Sequence, residues 1–255
     1  MNLGQERADS VLHFQVGEDE LHLWRVGLLN HAEELVGLAS LLSADELQRS
    51  NRFAMADLKR RYVVTRAALR QIVGRYLDLG AKEIRFEYGR HGKPSLAMSP
   101  MSATRPDLRF SVSHSGELAL IALTLGREVG VDLEYLDREI RFESIARRFF
   151  TGAEVTALQG LPPEKRRSGF FLCWTRKEAV LKARGEGLAA SLDSFSVSLV
   201  PGESARLIAA DWDQPQVERW TLCDLAIDSG VAAAVACQGP VAEIVHRTWT
   251  PGSRC

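Results

Sequence analysis

The sequence predicts an α+β fold in which the strands pair mainly antiparallel. Apolar and polar residues alternate at every second position in segments of both halves, for instance at 84–88 and 129–134, which predicts strands. Capping-box patterns that start helices also occur in both halves, at 43–46 and 151–154. Hairpin-like strands mixed with helices throughout a chain favour α+β over purely helical or purely β architectures.

Composition places the chain among ordinary globular proteins, because 45% of its 255 residues are hydrophobic and 25% are charged. The net charge of −1 provides no general attraction to nucleic acid or membranes, so a local basic cluster must hold any anionic ligand. Neither an apolar signal sequence in 1–20 nor a bilayer-length apolar run is visible. The four cysteines lack metal-type spacing. We therefore expect a cytoplasmic protein with reduced thiols.

A long helical region in the first half is rich in basic residues. It begins after Ser43, is broken near Met55 and ends at about Leu79. Arginine suits bidentate binding of phosphate, whereas a solvated helix face is the ordinary alternative. The sequence does not decide which of the following bind a ligand: Arg49, Arg52, Lys59, Arg60, Arg61, Arg66, Arg70 and Arg75.

Two loops after this helix carry groups that can bind an anion. The turn at 89–94 has two glycines and includes Lys93, so backbone N–H groups and a point charge can surround a phosphate; an ordinary turn is the alternative. A strand from 108, a tight turn at Gly116 and a second strand to 123 follow. Ser113, His114 and Ser115 cluster at the first strand's end, where they can bind phosphate or form local turn bonds.

Two acidic residues share one face of the strand at 128–134. Asp132 and Glu134 are separated by one residue, so their Cα atoms lie roughly 6–7 Å apart. With Gly130 leaving open space beside them, they are expected to be cation ligands, while a solvated face is the alternative. Mg²⁺ is the cation that combines a few carboxylates with phosphate oxygens and water.

A third carboxylate, Glu178, interrupts the apolar stripe of a predicted helix at 170–182. Phe171, Trp174 and Leu181 share its face. A carboxylate among apolar residues needs compensation. A marginal ion pair with Lys182, worth tenths of a kcal/mol, is one interpretation; a shared cation with the strand carboxylates is the other.

The remaining segments complete the prediction. Helices are expected at 142–150 and from Thr151 to the break at 161–163, and strands at 192–200, 219–225 and 231–237.

Taken in order, these motifs resemble those of the 4′-phosphopantetheinyl transferases of the larger, surfactin-synthetase-activator type. The resemblance covers 43–200. It is carried by Arg52-Phe53 with Arg61 downstream, Gly92-Lys93-Pro94, Phe110 to Ser115, Gly130 to Glu134, and Trp174 to Lys182. Two positions depart from the pattern: Ser111 replaces the usual asparagine, and Glu46 replaces a lysine of some members, leaving Arg49 as the nearest base.

The resemblance implies a 4′-phosphopantetheinyl transferase fold with two similar subdomains in a pseudo-two-fold arrangement. It implies an N-terminal subdomain (21–126) and a C-terminal subdomain (127–255), with an approximate boundary. The segment 1–20, which mixes charges with single apolar residues, is expected to be a flexible N-terminus. The implied activity is transfer of phosphopantetheine from coenzyme A to a serine of an apo acyl, peptidyl or aryl carrier protein, by a monomer that uses Mg²⁺. A non-catalytic coenzyme A-binding module and a Mg²⁺-dependent phosphohydrolase are the alternatives.

The resemblance also implies residue roles. Asp132, Glu134 and Glu178 would ligate Mg²⁺, Glu178 would be the base for the carrier serine, and Lys182 would stabilise the phosphates. The nucleotide end of coenzyme A would be held by Arg49, Arg61, Gly92, Lys93, Pro94, Ser113 and a partly cationic His114. Lys177 would point away from Glu178.

Overall fold

A computed structural model describes residues 14–29, 31, 33–90, 92–97, 106–185, 191–212 and 217–252. Most of the expected N-terminal segment 1–20 lies outside the described residues, as do His91 of the glycine-rich turn and Cys255. The helices are α1 Leu35–Ala39, α2 Ala44–Ser50, α3 Ala56–Leu77, α4 Phe142–Phe149, α5 Gly152–Gly160 and α6 Pro163–Arg184. The strands are β1 Glu20–Gly27, β2 Phe86–Tyr88, β3 Pro94–Leu96, β4 Leu108–Ser115, β5 Leu118–Leu125, β6 Val129–Tyr135, β7 Phe195–Val197, β8 Leu207–Ala210, β9 Trp220–Asp224, β10 Val231–Gln238 and β11 Glu243–Trp249.

The two halves repeat one topology, which confirms the predicted α+β fold with two similar subdomains. Each half runs strand, long helix, short hairpin and two further strands, and each long helix, α3 or α6, has 22 residues. The sheet order is β1-β5-β4 in the first half and β6-β10-β9 in the second. These equivalent orders give the halves the same arrangement of one sheet and one long helix.

The apolar core lies in three layers that follow from this repeat. Residues of β1 and β5 pack against β6 and β10 between the two sheets, as Leu23, Leu120, Val131 and Val235 illustrate. The outer face of the first sheet is covered by α3, and that of the second by α6. The order helix, sheet, sheet, helix therefore buries both faces of each sheet and brings β4 beside β6.

The long basic helix predicted in the first half is two helices, α2 and α3, separated at 51–55 as expected. In α2, the backbone N–H of Ser43 donates to Glu46 at 3.0 Å, which confirms the capping box. The C-terminus of α3 is Leu77, because Asp78 adopts a left-handed conformation with φ 52°. Its cap N–H bonds the Gly74 carbonyl, which closes the helix.

Some strand predictions differ from the structure. The strand expected at 192–200 is only β7, because Leu192–Ser194 forms a 3₁₀ helix and the pairing of β7 with β8 shifts register between Ser196 and Val197. Strand β11 was not predicted, since its mixed pattern, Glu243 to Trp249, does not alternate cleanly. It pairs parallel with β1 and is an exception to the expected antiparallel pairing.

The link between the halves is short. Strand β5 ends at Leu125, Gly126 has φ +64°, and β6 begins at Val129. Because β11 joins the first sheet, the C-terminal segment contributes to both halves, and the boundary near 126 stays a prediction. In the part of the chain that the structure describes, no helix has the length and apolar character needed to cross a membrane.

Candidate active site

The candidate site forms where the backbone of α6 touches β6. A Cβ on Gly130 would lie 2.0 Å from Ala179 O and 2.3 Å from Ala183 N, so only glycine permits this contact. The open space predicted beside Gly130 is therefore wrong, because the helix fills it. The close approach sets Glu178 and Lys182 of α6 beside the carboxylates of β6.

Asp132 is held by one oxygen and leaves the other without a partner. Its Oδ1 accepts from the Ser113 hydroxyl at 2.7 Å and from Lys182 Nζ at 2.7 Å. Its Oδ2 is buried and has no hydrogen-bond partner among the described residues. Burial raises the pKa of Asp132, while Lys182 and Ser113 partly offset that rise. A buried carboxylate oxygen of this kind requires a cation, a hydrogen-bond donor or a proton to compensate it.

Glu134, which lies two residues after Asp132 on β6, shows the same pattern. Its Oε2 accepts from the Ser115 hydroxyl at 2.7 Å and from Arg138 Nη1 at 2.6 Å. The serine is buried, whereas half of the Arg138 side chain, 51%, is exposed. Each strand carboxylate thus has one serine and one cationic side chain on a single oxygen.

Glu178 lies in the apolar stripe as predicted, without the ion pair to its helix neighbour. The Lys182 ammonium bonds Asp132, Ser113 and Val131 O, the last at 3.2 Å. Within the described residues, Glu178 Oε1 is buried and has no hydrogen-bond partner. Burial, followed by the charge of Asp132, raises the pKa of Glu178 to about 7.

These carboxylates fit a divalent cation, although they do not form a finished metal centre. Over the described ranges, no group of three or more His, Cys, Asp or Glu side chains is arranged to hold a metal. The two orphaned oxygens, Asp132 Oδ2 and Glu178 Oε1, are nevertheless the hard donors that Mg²⁺ prefers. Lys182 occupies Oδ1 of Asp132 and partly neutralises the site.

Alternate serines on β4 bond β6 across the interface of the two sheets. Ser111 accepts the backbone N–H of Val131 at 3.1 Å, and Ser113 and Ser115 donate to the two carboxylates. The period of two explains why all three face the same strand. The sequence led us to assign Ser113 to a phosphate, and it gave Ser115 no individual role. The spacing of the serines at 111, 113 and 115 was the pattern that could have predicted a shared contact with β6.

His114 lies close enough to Arg61 and Lys182 for their charges to affect its pKa. Desolvation, together with the positive charges of Lys182 and Arg61, lowers the pKa of His114, even though part of the imidazole remains exposed. This shift disfavours the cationic imidazole in the free protein, and the expected partly cationic His114 beside a phosphate stays a prediction. Arg61 pairs with Asp57 at 2.7 Å on the same helix.

The glycine-rich turn reaches the second half through Lys93. Its Nζ donates to Glu128 Oε2 at 2.9 Å, Ala183 O at 3.0 Å and Val129 O at 3.4 Å, at the end of α6 and the start of β6. Gly92 has φ +80° and leaves open space where a Cβ would be. Lys93 and Pro94 line a cavity of about 900 Å³.

A second cavity of about 550 Å³ has one of the three site carboxylates, Glu134, among its lining residues, together with His114 and Arg138. Of the residues assigned to coenzyme A, Lys93 and Pro94 line the larger cavity and His114 lines the smaller one. The others, Arg49, Arg61, Gly92 and Ser113, line neither of these two cavities.

Two charged residues of α2 differ in whether they are available to a ligand. Glu46 is 1% exposed and accepts from Arg70 Nε at 2.6 Å and from Arg66 Nη2 at 2.6 Å, so it cannot take the place of a phosphate-binding lysine. Arg49 is exposed and lies 5.7 Å from the Tyr62 ring centroid. The position of Arg49 leaves its guanidinium available to a ligand.

Lys177 points away from Glu178, as the sequence predicted. It is fully buried, donates to Glu154 Oε1 at 2.7 Å and to the carbonyl of Phe195, and lies 4.4 Å from the Phe195 ring centroid. The neighbouring Arg176 is also buried and pairs with Asp224. Arg176 therefore holds α6 against β9 of the second sheet, and Lys177 holds it against α5 and β7.

Comparisons with known proteins show the family of this chain. A family model described as "4′-phosphopantetheinyl transferase, N-terminal" matches residues 30–125, and one described as "4′-phosphopantetheinyl transferase superfamily" matches residues 128–236. The chain is 41% identical over 221 residues to 4′-phosphopantetheinyl transferase HetI of Nostoc sp. (strain PCC 7120), covering 87% of this chain and 89% of HetI.

A more distant relative has the same description. 4′-phosphopantetheinyl transferase Sfp of Bacillus subtilis (strain 168) is 30% identical over 167 residues, covering 66% of this chain and 70% of Sfp. Holo-[acyl-carrier-protein] synthase of Thermotoga maritima superimposes on 44% of this chain and 63% of its own, with a TM-score of 0.36 and 22% identity. Because a relative 41% identical is matched over 89% of its length, the chain belongs to the 4′-phosphopantetheinyl transferase family and is a transferase of the Sfp and HetI type.

Proposed function

We propose that this transferase takes 4′-phosphopantetheine from coenzyme A and attaches it to a serine of an apo acyl, peptidyl or aryl carrier protein, in a Mg²⁺-dependent reaction. The single observation that carries the site assignment is the pair of buried, unpartnered carboxylate oxygens, Asp132 Oδ2 and Glu178 Oε1. Neither oxygen is compensated within the described residues, and a divalent cation would compensate both.

Asp132, Glu134 and Glu178 would hold Mg²⁺. When bound, Mg²⁺ neutralises charge that develops on the pyrophosphate oxygens. Lys182 supports this arrangement because its ammonium already lies 2.7 Å from Asp132 and is 28% exposed, so it can turn toward a phosphate. It would stabilise the pyrophosphate and the departing phosphate.

Glu178 is proposed as the base. In the metal-free protein, burial raises the pKa of Glu178 to about 7, and a bound cation would lower it again, so the carboxylate would be ionised at neutral pH and able to accept a proton. The carrier serine oxygen forms a bond to the phosphorus next to pantetheine while the bond from that phosphorus to the bridging oxygen breaks. Adenosine 3′,5′-bisphosphate leaves, and the serine proton passes to Glu178.

The nucleotide end of coenzyme A is proposed to bind the basic groups around α3 and the glycine-rich turn. Arg61 lies near His114, whose pKa a bound phosphate would raise again. Lys93 is held at the end of α6 and, with Pro94, lines the larger cavity. Gly92 leaves room for the ligand, Ser113 supplies a hydroxyl, and Arg49 is the exposed base for the 3′-phosphate.

One chain contains every proposed ligand, which supports a monomer. Ser113 comes from the first half and Asp132 from the second, so their contact at 2.7 Å already joins the two halves within one chain. We further propose that the enzyme acts in the cytoplasm, without nucleic acid or membrane partners, because it carries a net charge of only −1.

The test is incubation of the purified full chain with coenzyme A, Mg²⁺ and a panel of apo acyl, peptidyl and aryl carriers. We expect a mass increase of one phosphopantetheine on at least one carrier and release of adenosine 3′,5′-bisphosphate in equal amount. No modification of any carrier would contradict the proposal. Nucleotide release that does not require a carrier would instead indicate a phosphohydrolase.

A further inference from the structure

We infer that Ser115 is a positioning residue for the cation, because it fixes Glu134 by one oxygen and presents the other to the site. The inference rests on the proposed function, since it concerns a ligand of the proposed Mg²⁺. Its first support is the contact itself: Ser115 Oγ donates to Glu134 Oε2 at 2.7 Å, and no bond to Oε1 is formed within the described part of the chain.

The parallel with Asp132 gives this contact its meaning. Ser113 and Lys182 both bond Oδ1 of Asp132, while Oδ2 stays buried and unpartnered among the described residues. Ser115 and Arg138 both bond Oε2 of Glu134. The two strand carboxylates are thus restrained in the same way, each with one oxygen left for a ligand.

Ser115 is the fixed member of the pair that holds Glu134. Ser115 is only 8% exposed, whereas the Arg138 side chain is 51% exposed. The long arginine side chain must therefore lose more conformational entropy than the serine to keep its bond to Glu134. A short hydroxyl on a strand therefore determines the orientation of Glu134 better than a long, half-exposed guanidinium does.

The turn after Ser115 also fixes its position. Gly116 has φ +51°, and a Cβ there would lie 2.7 Å from Cε2 of Tyr135, the residue after Glu134. The turn therefore packs against the end of β6, and this contact fixes which residue of β6 lies opposite Ser115. Hydrogen bonds that orient metal ligands typically account for 10- to 100-fold in metal affinity or activity.

A purely structural role would be the ordinary alternative, and Ser111 shows what it looks like. Ser111 lies on the same strand and bonds the same neighbour, β6, but its partner is the backbone N–H of Val131 at 3.1 Å. Removing Ser111 weakens the contact between the sheets and leaves both carboxylates restrained. Ser111→Ala is therefore the matched control for Ser115→Ala.

The experiment measures the dissociation constant of Mn²⁺ by the electron paramagnetic resonance signal of free Mn²⁺, in the presence of coenzyme A and without carrier, so that no turnover occurs. We expect Ser115→Ala to weaken Mn²⁺ binding about tenfold. Ser115→Thr, which keeps the hydroxyl, should bind Mn²⁺ like the wild type. Metal-free coenzyme A binding should be unchanged, as should Mn²⁺ binding by Ser111→Ala.

Several results would overturn the inference: equal Mn²⁺ binding by Ser115→Ala and the wild type, an equal loss in Ser111→Ala, or a threonine variant as weak as the alanine variant. If the wild type itself binds no Mn²⁺ with coenzyme A, the proposed metal site fails and the inference fails with it. Wild-type binding with an unaffected Ser115→Ala refutes the positioning role alone.

Discussion

Lys182 donates to Oδ1 of Asp132 at 2.7 Å, and this ion pair joins the last turns of α6 to the middle of β6. The same ammonium bonds Ser113 of β4 at 2.8 Å, so one side chain connects three elements. Because the lysine remains partly exposed, the pair holds the site together in the free protein without sealing it from a phosphate.

Two lysines of α6 are predicted to give opposite results when replaced by methionine. Lys182→Met should lower the transfer rate roughly 10²- to 10³-fold, as the loss of one preorganised charge does elsewhere. Its stability loss should be smaller than that of Lys177→Met, because Lys182 is 28% exposed and Asp132 keeps its hydrogen bond from Ser113. Lys177→Met should lower the free energy of unfolding by about 3–5 kcal/mol, because buried Glu154 loses its cation. Carrier modification and urea denaturation measure the two effects. A large stability loss only in Lys182→Met would contradict this assignment.

Glu178 is predicted to make the metal-free protein less stable as the pH rises. Its pKa is about 7 in the folded protein and near 4.5 when unfolded, so between these values the unfolded state ionises while the folded state keeps its proton. Stability contributed by the protonated form is present below pH 4.5 and is lost by pH 7, up to about 3 kcal/mol. Urea denaturation should show that the free energy of unfolding decreases from pH 5 to pH 8 in the wild type, and that it decreases less in Glu178→Gln.

The same variant tests the role of Glu178 as base. Glu178→Gln should keep metal-free coenzyme A binding and lose carrier modification by about 10²- to 10⁴-fold. If the free energy of unfolding decreases with pH as much in Glu178→Gln as in the wild type, Glu178 is not the group whose titration causes the decrease. Full transfer activity in the variant would remove it from the mechanism.

Gly130 is predicted to be irreplaceable by alanine. The added Cβ would meet Ala179 O at 2.0 Å, and backbone atoms of a packed helix cannot move aside easily, so we expect a loss of at least about 3 kcal/mol. Gly160→Ala is the control, since nothing lies within 4 Å of a Cβ there and its φ is not positive. Thermal denaturation should separate them clearly; similar melting temperatures would mean that α6 and β6 are not in such close contact.

The elements and the site carboxylates were accessible from the sequence because they depend on local patterns. Period-two alternation placed Asp132 and Glu134 on one face of β6, and helical spacing placed Glu178 in the stripe of α6. Contacts between elements were not accessible in the same way. Lys93 meets Ala183 O across 90 residues, and such a partner is set by how the two halves pack.

The error at Gly130 has the same origin. A glycine on a strand face signals either empty space or close approach of another backbone, and the strand pattern does not distinguish them. Ser115 was overlooked for a related reason: a serine hydroxyl gains a specific role only from its partner, which here is Glu134 on a different sheet.

A final prediction concerns the departure at Glu46. Replacing it with the lysine that some family members carry should not restore a phosphate contact. Glu46 is buried and compensates Arg66 and Arg70, so Glu46→Lys would bury three positive charges together and lower the free energy of unfolding by about 4 kcal/mol or more. Urea denaturation measures this loss.

Arg49→Gln is the matched variant, because Arg49 lies on the same helix, α2, and its exposed side chain leaves the core undisturbed. We expect unchanged denaturation and about tenfold weaker binding of coenzyme A, since a charge-assisted bond to a phosphate contributes about 1.5 kcal/mol or more. Coenzyme A that lacks the 3′-phosphate is a sharper probe, because it should bind the wild type and Arg49→Gln equally. A variant that still discriminates between the two ligands as the wild type does would assign the 3′-phosphate to another base.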